Sequence, residues 1–135
     1  MPEPDARADS VFAIPLHRFL GIRPIDREQP AKGLVLPATG AAVNNAGVVH
    51  GGIITALLDV ASYLAILPRL EPGRNAVTHD ATSSLLRPVP ADAEVRLAGT
   101  VVRCGRTLAF LRAEATVDDV TVAFGQVTKS LVPSR

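Results

Sequence analysis

Three residues, His50, Gly51 and Gly52, open an almost uninterrupted apolar run over residues 53–67, in which Asp59 is the only charge. Burying a lone carboxylate among apolar side chains is costly unless the carboxylate has a partner or a task. Two glycines at the start of a helix leave backbone N–H groups uncovered at the positive end of the helix dipole. One predicted helix therefore carries a candidate base or nucleophile and a candidate site for a developing oxyanion.

Composition restricts the classes of function. The 135 residues suffice for one domain with a sizeable core, and the net charge of +1 gives no indication of nucleic acid or a membrane surface as a partner. Aromatic residues make up 4% of the chain, too few for the stacking platforms of single-strand binders. Cys104 is the only cysteine, which excludes an intrachain disulfide and a thiolate zinc site.

One segment, residues 47–67, is long enough to raise the question of a membrane span. A histidine, paired glycines and Asp59 would then lie inside the bilayer, and no Lys or Arg flanks the N-terminal side. The polar N-terminus also lacks the apolar region of a signal peptide. We therefore expect a cytoplasmic protein that does not enter a membrane.

The apolar periodicity changes from helical to strand-like along the chain, which predicts an α+β fold. We expect a flexible segment over residues 1–10 and one domain over residues 11–135. This domain would begin with a short helix over residues 11–20, interrupted by Pro15, and a hairpin formed by residues 22–26 and 32–36. The long helix should end at Pro68. Four antiparallel strands then follow, over residues 75–86, 93–103, 106–117 and 120–132, with Asp118-Asp119 as a two-residue turn.

Spacing distinguishes two faces of the long helix. The face expected on the sheet consists of Ile53, Leu57, Val60, Leu64 and Leu67. A separate polar stripe holds Thr55, Asp59 and Ser62, and the apolar residues beside it, expected to be covered by a partner, are Ile54, Ala61 and Ala65.

His50 and Asp59 are too far apart to serve one reaction within one chain. Nine residues of ideal helix separate them by about 13 Å along the axis and about half a turn around it. Two helices antiparallel across a two-fold axis would bring each Asp59 toward the Gly51 of the second copy. We therefore expect a homodimer with two identical composite sites.

Three stretches together resemble the signature of the PaaI-like hotdog-fold acyl-CoA thioesterases. They are Asn44-Asn-Ala-Gly47-Val-Val-His50-Gly-Gly52 with Asp59 following, Val77-Thr78-His79-Asp80 running to Leu86-Arg87-Pro88, and Arg103-Cys-Gly-Arg-Thr107. The resemblance covers about residues 20–131. It implies an antiparallel sheet of five or six strands wrapped around a central helix, paired into a homodimer and usually a homotetramer as a dimer of dimers. It also implies hydrolysis of acyl-CoA thioesters with no metal or redox cofactor.

The resemblance assigns catalytic roles to the helix residues. Asp59 would act as the general base that delivers water, or as a nucleophile that forms a mixed anhydride. The alternative is an interface carboxylate bonded to a partner's hydroxyl or amide. The Gly51 N–H would stabilise the oxyanion, or the paired glycines would serve only close packing.

Three further residues have both a catalytic and a structural interpretation. His50 would hold the loop and polarise the substrate carbonyl, or act only as a helix cap. Asn44 would orient the water or the carbonyl, or simply form a turn. Thr78 would donate a hydrogen bond to Asp59 or the water, or is an ordinary strand residue.

Substrate binding is assigned mainly to the predicted turn around Gly105. Arg103 and Arg106, with the free backbone donors of the turn and with Thr107, would meet the nucleotide phosphates of coenzyme A, and Gly52 would contribute at the helix start. The alternative is a solvated arginine-rich turn.

Several other residues receive lesser roles. The acyl group is expected near Leu85 and Phe110. Arg87 is expected to be a structural charge, and His17 and His79 are expected to be ordinary surface or sheet residues.

Two other functions are alternatives to the hydrolase. A hotdog dehydratase or hydratase uses differently placed histidine and acidic residues, and that arrangement is not found in this sequence. A non-catalytic acyl-CoA-binding module would be favoured by loss of Asp59 or of the glycines, and both are present.

Overall fold

A single long helix, α3 (Gly51–Ile66), organises the structure, a computed structural model that describes residues 5–135. It is followed by a 3-10 turn, Leu67–Arg69, because Pro68 cannot continue an α-helix. The predicted end of the helix at Pro68 is thus confirmed. Seven helix residues are buried, namely Ile54, Leu57, Leu58, Ala61, Ser62, Leu64 and Ile66.

Six antiparallel strands form one curled sheet around α3, in the order β1-β2-β4-β5-β6-β3. They are β1 (Arg23–Pro24), β2 (Leu34–Pro37), β3 (Arg74–Leu85), β4 (Glu94–Cys104), β5 (Leu108–Val117) and β6 (Val120–Pro133). Asp118 and Asp119, with φ of 50° and 65°, form the two-residue turn before β6, as predicted. The predicted α+β fold, with an antiparallel sheet around a central helix, is confirmed.

Strand β3 forms one edge of the sheet and pairs only with β6. The register shifts between Thr78 and Asp80, so His79 is the extra residue of a β-bulge. The bulge inverts the alternation of side chains along the rest of the strand. Thr78 on one side of the bulge, and Ser83 and Leu85 on the other, therefore all contact α3.

The predicted assignment of faces on α3 was partly wrong. Ile54 and Ala61, which were expected to be covered by a partner, are 3% and 0% exposed within the single chain. Ser62 belongs to the core, where its Oγ donates to the Leu58 carbonyl at 3.0 Å. Ile53 and Val60, expected on the sheet, are only half-buried.

The physical reason for this difference is a close approach between helix and sheet at Gly99 on β4. A Cβ added there would lie 3.0 Å from the Ala61 carbonyl oxygen and 3.0 Å from Ser62 Cα. The absence of a side chain at Gly99 lets this side of the helix backbone sit directly on β4.

The N-terminal region contains two helices, α1 (Ala6–Phe12) and α2 (Pro15–Leu20), where one interrupted helix was predicted. Pro15 begins the second helix, a position that suits its fixed φ. Residues 6–10 of the segment expected to be flexible are helical, and Ala8 is buried; residues 1–4 lie outside the described residues. His17, expected at the surface or in the sheet, is a buried helix residue whose Nδ1 donates to the Val11 carbonyl at 2.7 Å.

By length and composition alone, the helical stretch Gly51–Arg69 is able to cross a membrane. In the structure, 44% of its most apolar 18-residue window is buried, and α3 packs against β4 and β5. A helix at the core of a folded domain has the same apolar character, so packing accounts for it without a bilayer.

Candidate active site

Asp59 lies midway along α3 and is held by two side chains from the sheet. Its Oδ1 accepts hydrogen bonds from Thr78 Oγ1 at 2.7 Å and from Lys129 Nζ at 3.0 Å. Lys129 Nζ also donates to Thr78 Oγ1 at 3.0 Å, which closes a triangle of contacts. The Asp59 side chain is 32% exposed, and its Oδ2 accepts no hydrogen bond from residues 5–135. One carboxylate oxygen is thus fixed and the other is left for a ligand.

The sheet register explains why Thr78 and Lys129 converge on Asp59. The two residues are direct cross-strand partners on β3 and β6, and their side chains are on the face toward α3. Such partners have Cβ atoms about 4.5–5.5 Å apart, so both reach one acceptor. The alternative in which Thr78 donates to Asp59 is the one that the structure shows.

The tyrosine one turn beyond Asp59 completes the surroundings of Lys129. Lys129 Nζ lies 5.5 Å from the centroid of the Tyr63 ring, within the range of a cation–π contact. The Tyr63 hydroxyl donates to Asn75 Oδ1 at 2.6 Å, and burial raises the pKa of Tyr63 above its usual value. Tyr63 is therefore an uncharged aromatic neighbour of Lys129.

Sequence reasoning missed Lys129, which is 2% exposed. The apolar setting expected for Asp59 therefore contains a cation. A signal was present, because Lys129 alternates with Val127 and Leu131 in a strand where the face of Val127 is apolar. Lysine is ordinarily a solvated residue, so this pattern alone does not single it out.

His50 caps α3 through its ring. Its Nδ1 accepts the Gly52 N–H at 3.0 Å, so the proton of the neutral ring is on Nε2. The structural interpretation of His50 is therefore realised. The Gly52 N–H was expected to contribute to substrate binding, but it already donates to His50 within the chain.

The Gly51 N–H is the free donor at the start of α3, since it donates to no acceptor within residues 5–135. Close packing also applies, because a Cβ added to Gly51 would lie 2.5 Å from Leu85 Cδ1. The two interpretations of this glycine are thus compatible.

A cavity of about 310 Å³ opens beside Gly51. Its wall is mainly apolar, formed by residues that include Val49, Ile54, Leu85, Val89 and Val122, and Arg87 also lines it. The expected position of Leu85 agrees with this cavity.

Phe110 does not line the cavity, contrary to expectation. Its neighbours Ala109 and Leu111 are the buried residues of β5, so alternation places Phe110 on the opposite face of the sheet.

Asn44 lines the same cavity and also forms a turn. Its Oδ1 accepts the N–H groups of Ala46 at 2.9 Å and Val48 at 3.3 Å, and these two donors fix the orientation of the amide. The Nδ2 group has no acceptor within residues 5–135. Asn44 can therefore donate a hydrogen bond to a substrate through Nδ2, whereas its Oδ1 already accepts two backbone hydrogen bonds.

The residues assigned to coenzyme A lie at the hairpin between β4 and β5. Arg103 and Arg106 are exposed, and neither forms an ion pair with another of the described residues. The Gly105 N–H is not free, because it donates to the Leu108 carbonyl at 2.8 Å. The Thr107 carbonyl accepts the Leu131 N–H at 2.8 Å, which attaches the hairpin two residues from Lys129.

The structure thus gathers the predicted residues into two groups. Asp59 and Thr78 form one, with the arginine hairpin beyond them. In the other, Gly51 and Asn44 line the cavity, and His50 caps the helix next to Gly51 without lining the cavity. Gly51 and Asp59 are eight residues apart on one helix, which is about 12 Å. One chain does not bring the two groups to a common reacting atom.

The chain belongs to the thioesterase superfamily, whose sequence model matches residues 46–124. This range covers α3, the bulged strand β3 and most of the sheet, and it identifies the protein as a thioester hydrolase. None of the curated proteins compared with the chain matches it.

Solved structures with the same fold include three relatives. A thioesterase from Haemophilus influenzae is 20% identical with a TM-score of 0.86, covering 98% of this chain and 93% of that chain. A Bacillus halodurans protein solved with CoA is 24% identical with a TM-score of 0.80, covering 94% and 82%. A variant of the phenylacetic acid degradation protein PaaI from Thermus thermophilus is 26% identical with a TM-score of 0.75, covering 86% and 97%. The predicted PaaI-like hotdog thioesterase is confirmed.

Proposed function

We propose that the protein hydrolyses acyl-CoA thioesters at composite sites of a homodimer, where Asp59 of one copy faces Gly51 of the other. The observation that carries the proposal is that helix α3 holds two separate half-sites, one at Asp59 and one at Gly51. Among the described residues 5–135, nothing pairs with Asp59 Oδ2 or with the Gly51 N–H, which lies about 12 Å away along α3. The fold of a Bacillus halodurans protein that was solved with CoA supports this substrate class.

Asp59 starts the reaction by one of two routes. As a general base, Oδ2 takes a proton from the water that attacks the thioester carbon. As a nucleophile, Oδ2 itself attacks that carbon, the CoA thiolate leaves, and water then hydrolyses the mixed anhydride. Both routes need Oδ2 to face the substrate, and the bonds that Thr78 and Lys129 make to Oδ1 favour that orientation.

The carbonyl oxygen gains negative charge as the carbon is attacked. The Gly51 N–H at the positive end of α3 is placed to stabilise that charge, and the Asn44 amide nitrogen offers a second donor at the same cavity. Preorganised donors of this kind act without reorganisation during the reaction.

The edge strand β3 supports the proposed dimer. Its side chains are exposed from Val77 to Leu85, and a long exposed edge is a ready template for pairing with another chain. Gly51, Thr55 and Asp59 are among the residues of α3 that contact β3, so a partner joined at this edge would lie next to both half-sites. We further propose that two such dimers form a homotetramer.

The substrate would divide between the two regions already described. The apolar cavity of about 310 Å³ suits an aryl or medium-chain acyl group. Arg103 and Arg106 have no ion-pair partners within residues 5–135 and would bind the phosphates of coenzyme A.

A panel of acyl-CoA esters, with colorimetric detection of the free thiol, tests the proposal. The wild-type protein should release coenzyme A from at least one aryl or medium-chain ester, and Asp59→Asn should lower kcat by about 100-fold or more. Asp119→Asn is a matched control, because Asn tolerates the positive φ of that exposed turn. Binding without turnover in the wild type would indicate the acyl-CoA-binding module instead, and unchanged turnover in Asp59→Asn would exclude the assigned role.

A further inference from the structure

Lys129 is an unusual residue in this chain. The sequence has only two lysines, and the other, Lys32, lies at the surface in an ion pair with Asp26. Lys129 is 2% exposed, although lysine is almost never fully buried without a partner. A buried ammonium needs a counter-ion and acceptors for its protons.

The surroundings of Lys129 supply a counter-ion, two hydrogen-bond acceptors and an aromatic ring. Nζ donates to Asp59 Oδ1 and to Thr78 Oγ1, both at 3.0 Å, and the Tyr63 ring lies 5.5 Å away. The only carboxylate that pairs with it within residues 5–135 is that of Asp59. The polar contacts of Lys129 are therefore made to Asp59, the candidate catalytic residue, and to Thr78, which binds the same carboxylate.

Stability alone does not account for this arrangement. Replacing a buried ion pair with apolar side chains of similar volume is often neutral or stabilising. Methionine at position 129 would fill nearly the same space without the cost of desolvating an ammonium. A functional role would account for the burial of Lys129 beside the Asp59 carboxylate.

We propose that Lys129 is a positioning residue of the hydrolase, which keeps Asp59 Oδ1 toward the sheet so that Oδ2 faces the substrate. This inference rests on the proposed function, since it acts through Asp59. Lys129 suits the role because β6 lies between β5 and β3, where strand pairing on both sides holds its backbone.

Thr78 and Lys129 make different contributions to the contact with Asp59. Thr78 is a neutral donor, which provides one hydrogen bond to Asp59 and no charge. Lys129 provides a similar hydrogen bond and also a positive charge. Removing each one separately therefore distinguishes orientation from charge.

The groups that face Asp59 and Lys129 are few. Helix α3 contributes Tyr63, β3 contributes Thr78, and the β5 residue paired with Lys129 is the uncharged Ala109. Within residues 5–135 no second cation pairs with Asp59, so no other described residue replaces Lys129 once it is removed.

The experiment compares Lys129→Met, Lys129→Arg and Thr78→Val with the wild type on the best ester from the panel, measuring kcat and KM separately. Lys129→Met should lower kcat by about 10-fold or more while KM changes little, because substrate contacts are kept. Lys129→Arg keeps the cation and should retain a kcat closer to that of the wild type. Thr78→Val removes only the neutral donor and should lower kcat less than Lys129→Met does.

Controls separate the possible failures. Lys32→Met removes the surface lysine and should leave kcat unchanged. If Lys129→Met does not fold, as judged by circular dichroism, Lys129→Gln carries the same test, since its amide donates without a charge. A wild-type kcat in a folded charge-free variant overturns the inference. An inactive wild type, or an active Asp59→Asn variant, would instead remove the proposed function itself.

Discussion

Thr78 and Lys129 stand directly opposite each other on neighbouring strands, and both side chains donate to the same oxygen of Asp59. The carboxylate is thereby tied to the sheet by two bonds that differ in charge. Under the proposed function, the stability and the activity of the protein both depend on these three residues, and the two properties can be measured separately.

Removing the Asp59 charge should destabilise the protein. Asp59→Asn leaves the buried Lys129 ammonium without a counter-ion, which should lower the free energy of unfolding by about 1–3 kcal/mol. The double variant Asp59→Asn, Lys129→Met should recover much of this loss. Urea denaturation at neutral pH measures both values. Equal stability of the single variant and the wild type would contradict the ion pair.

Gly51→Ala should reduce turnover more than stability. The added Cβ meets Leu85 Cδ1 at 2.5 Å, but Leu85 is a flexible side chain that is 52% exposed and able to move. We expect a change in unfolding free energy of about 1 kcal/mol or less, and a fall in kcat/KM of about 10-fold or more as the first turn and the cavity shift.

The double variant Gly51→Ala, Leu85→Ala is the control for this steric effect. It removes the obstructing methyl group and should restore part of kcat/KM. No recovery would show that contact with Leu85 is not the cause.

His50 should contribute to stability as a cap. His50→Ala removes the acceptor of the Gly52 N–H and should lower the unfolding free energy by about 1 kcal/mol. His50→Asn should restore it, because Asn is a good N-cap residue. Thermal denaturation of the three proteins checks the order. An Asn variant as unstable as the Ala variant would show that the ring does more than accept this bond.

Hybrid dimers should regain activity if the sites are shared. In a dimer of one Asp59→Asn chain and one Gly51→Val chain, one site has an intact Asp59 and an intact Gly51. Random exchange of equal amounts makes half of the dimers hybrid, so about a quarter of wild-type activity should return. Exchange is verified with a mass tag on one variant. Failure to regain activity after verified exchange would place each site within a single chain.

Sequence reasoning was sufficient for the long elements. Helix α3 has a clear start at His50 and a clear end at Pro68, and β4, β5 and β6 are separated by recognisable turns. Gly51 and Asp59 were singled out by their positions in the apolar helix, and Thr78 by the resemblance to the hotdog thioesterases; their catalytic roles stay predictions. Such features are local, so the sequence carries them directly.

The parts that were not predicted depend on contacts between distant segments. The buried face of α3 is set by the close approach of Gly99 to Ala61 and Ser62, which periodicity within the helix does not reveal. Lys129 and Asp59 are 70 residues apart in sequence, and lysine is ordinarily a surface residue. Only the folded sheet shows that the two are partners.

The position of Leu85 depends on the number of residues that follow the bulge at His79. Asp80 already pairs with Thr128, the neighbour of Lys129, so deletion of His79 would leave the register on both sides of the bulge unchanged. Thr78 would stay against Asp59, and Leu85 would still face α3. A residue removed from the segment 80–85 would instead turn Leu85 away from the cavity beside Gly51. The length of this short segment therefore couples the carboxylate end of the helix to its amide end.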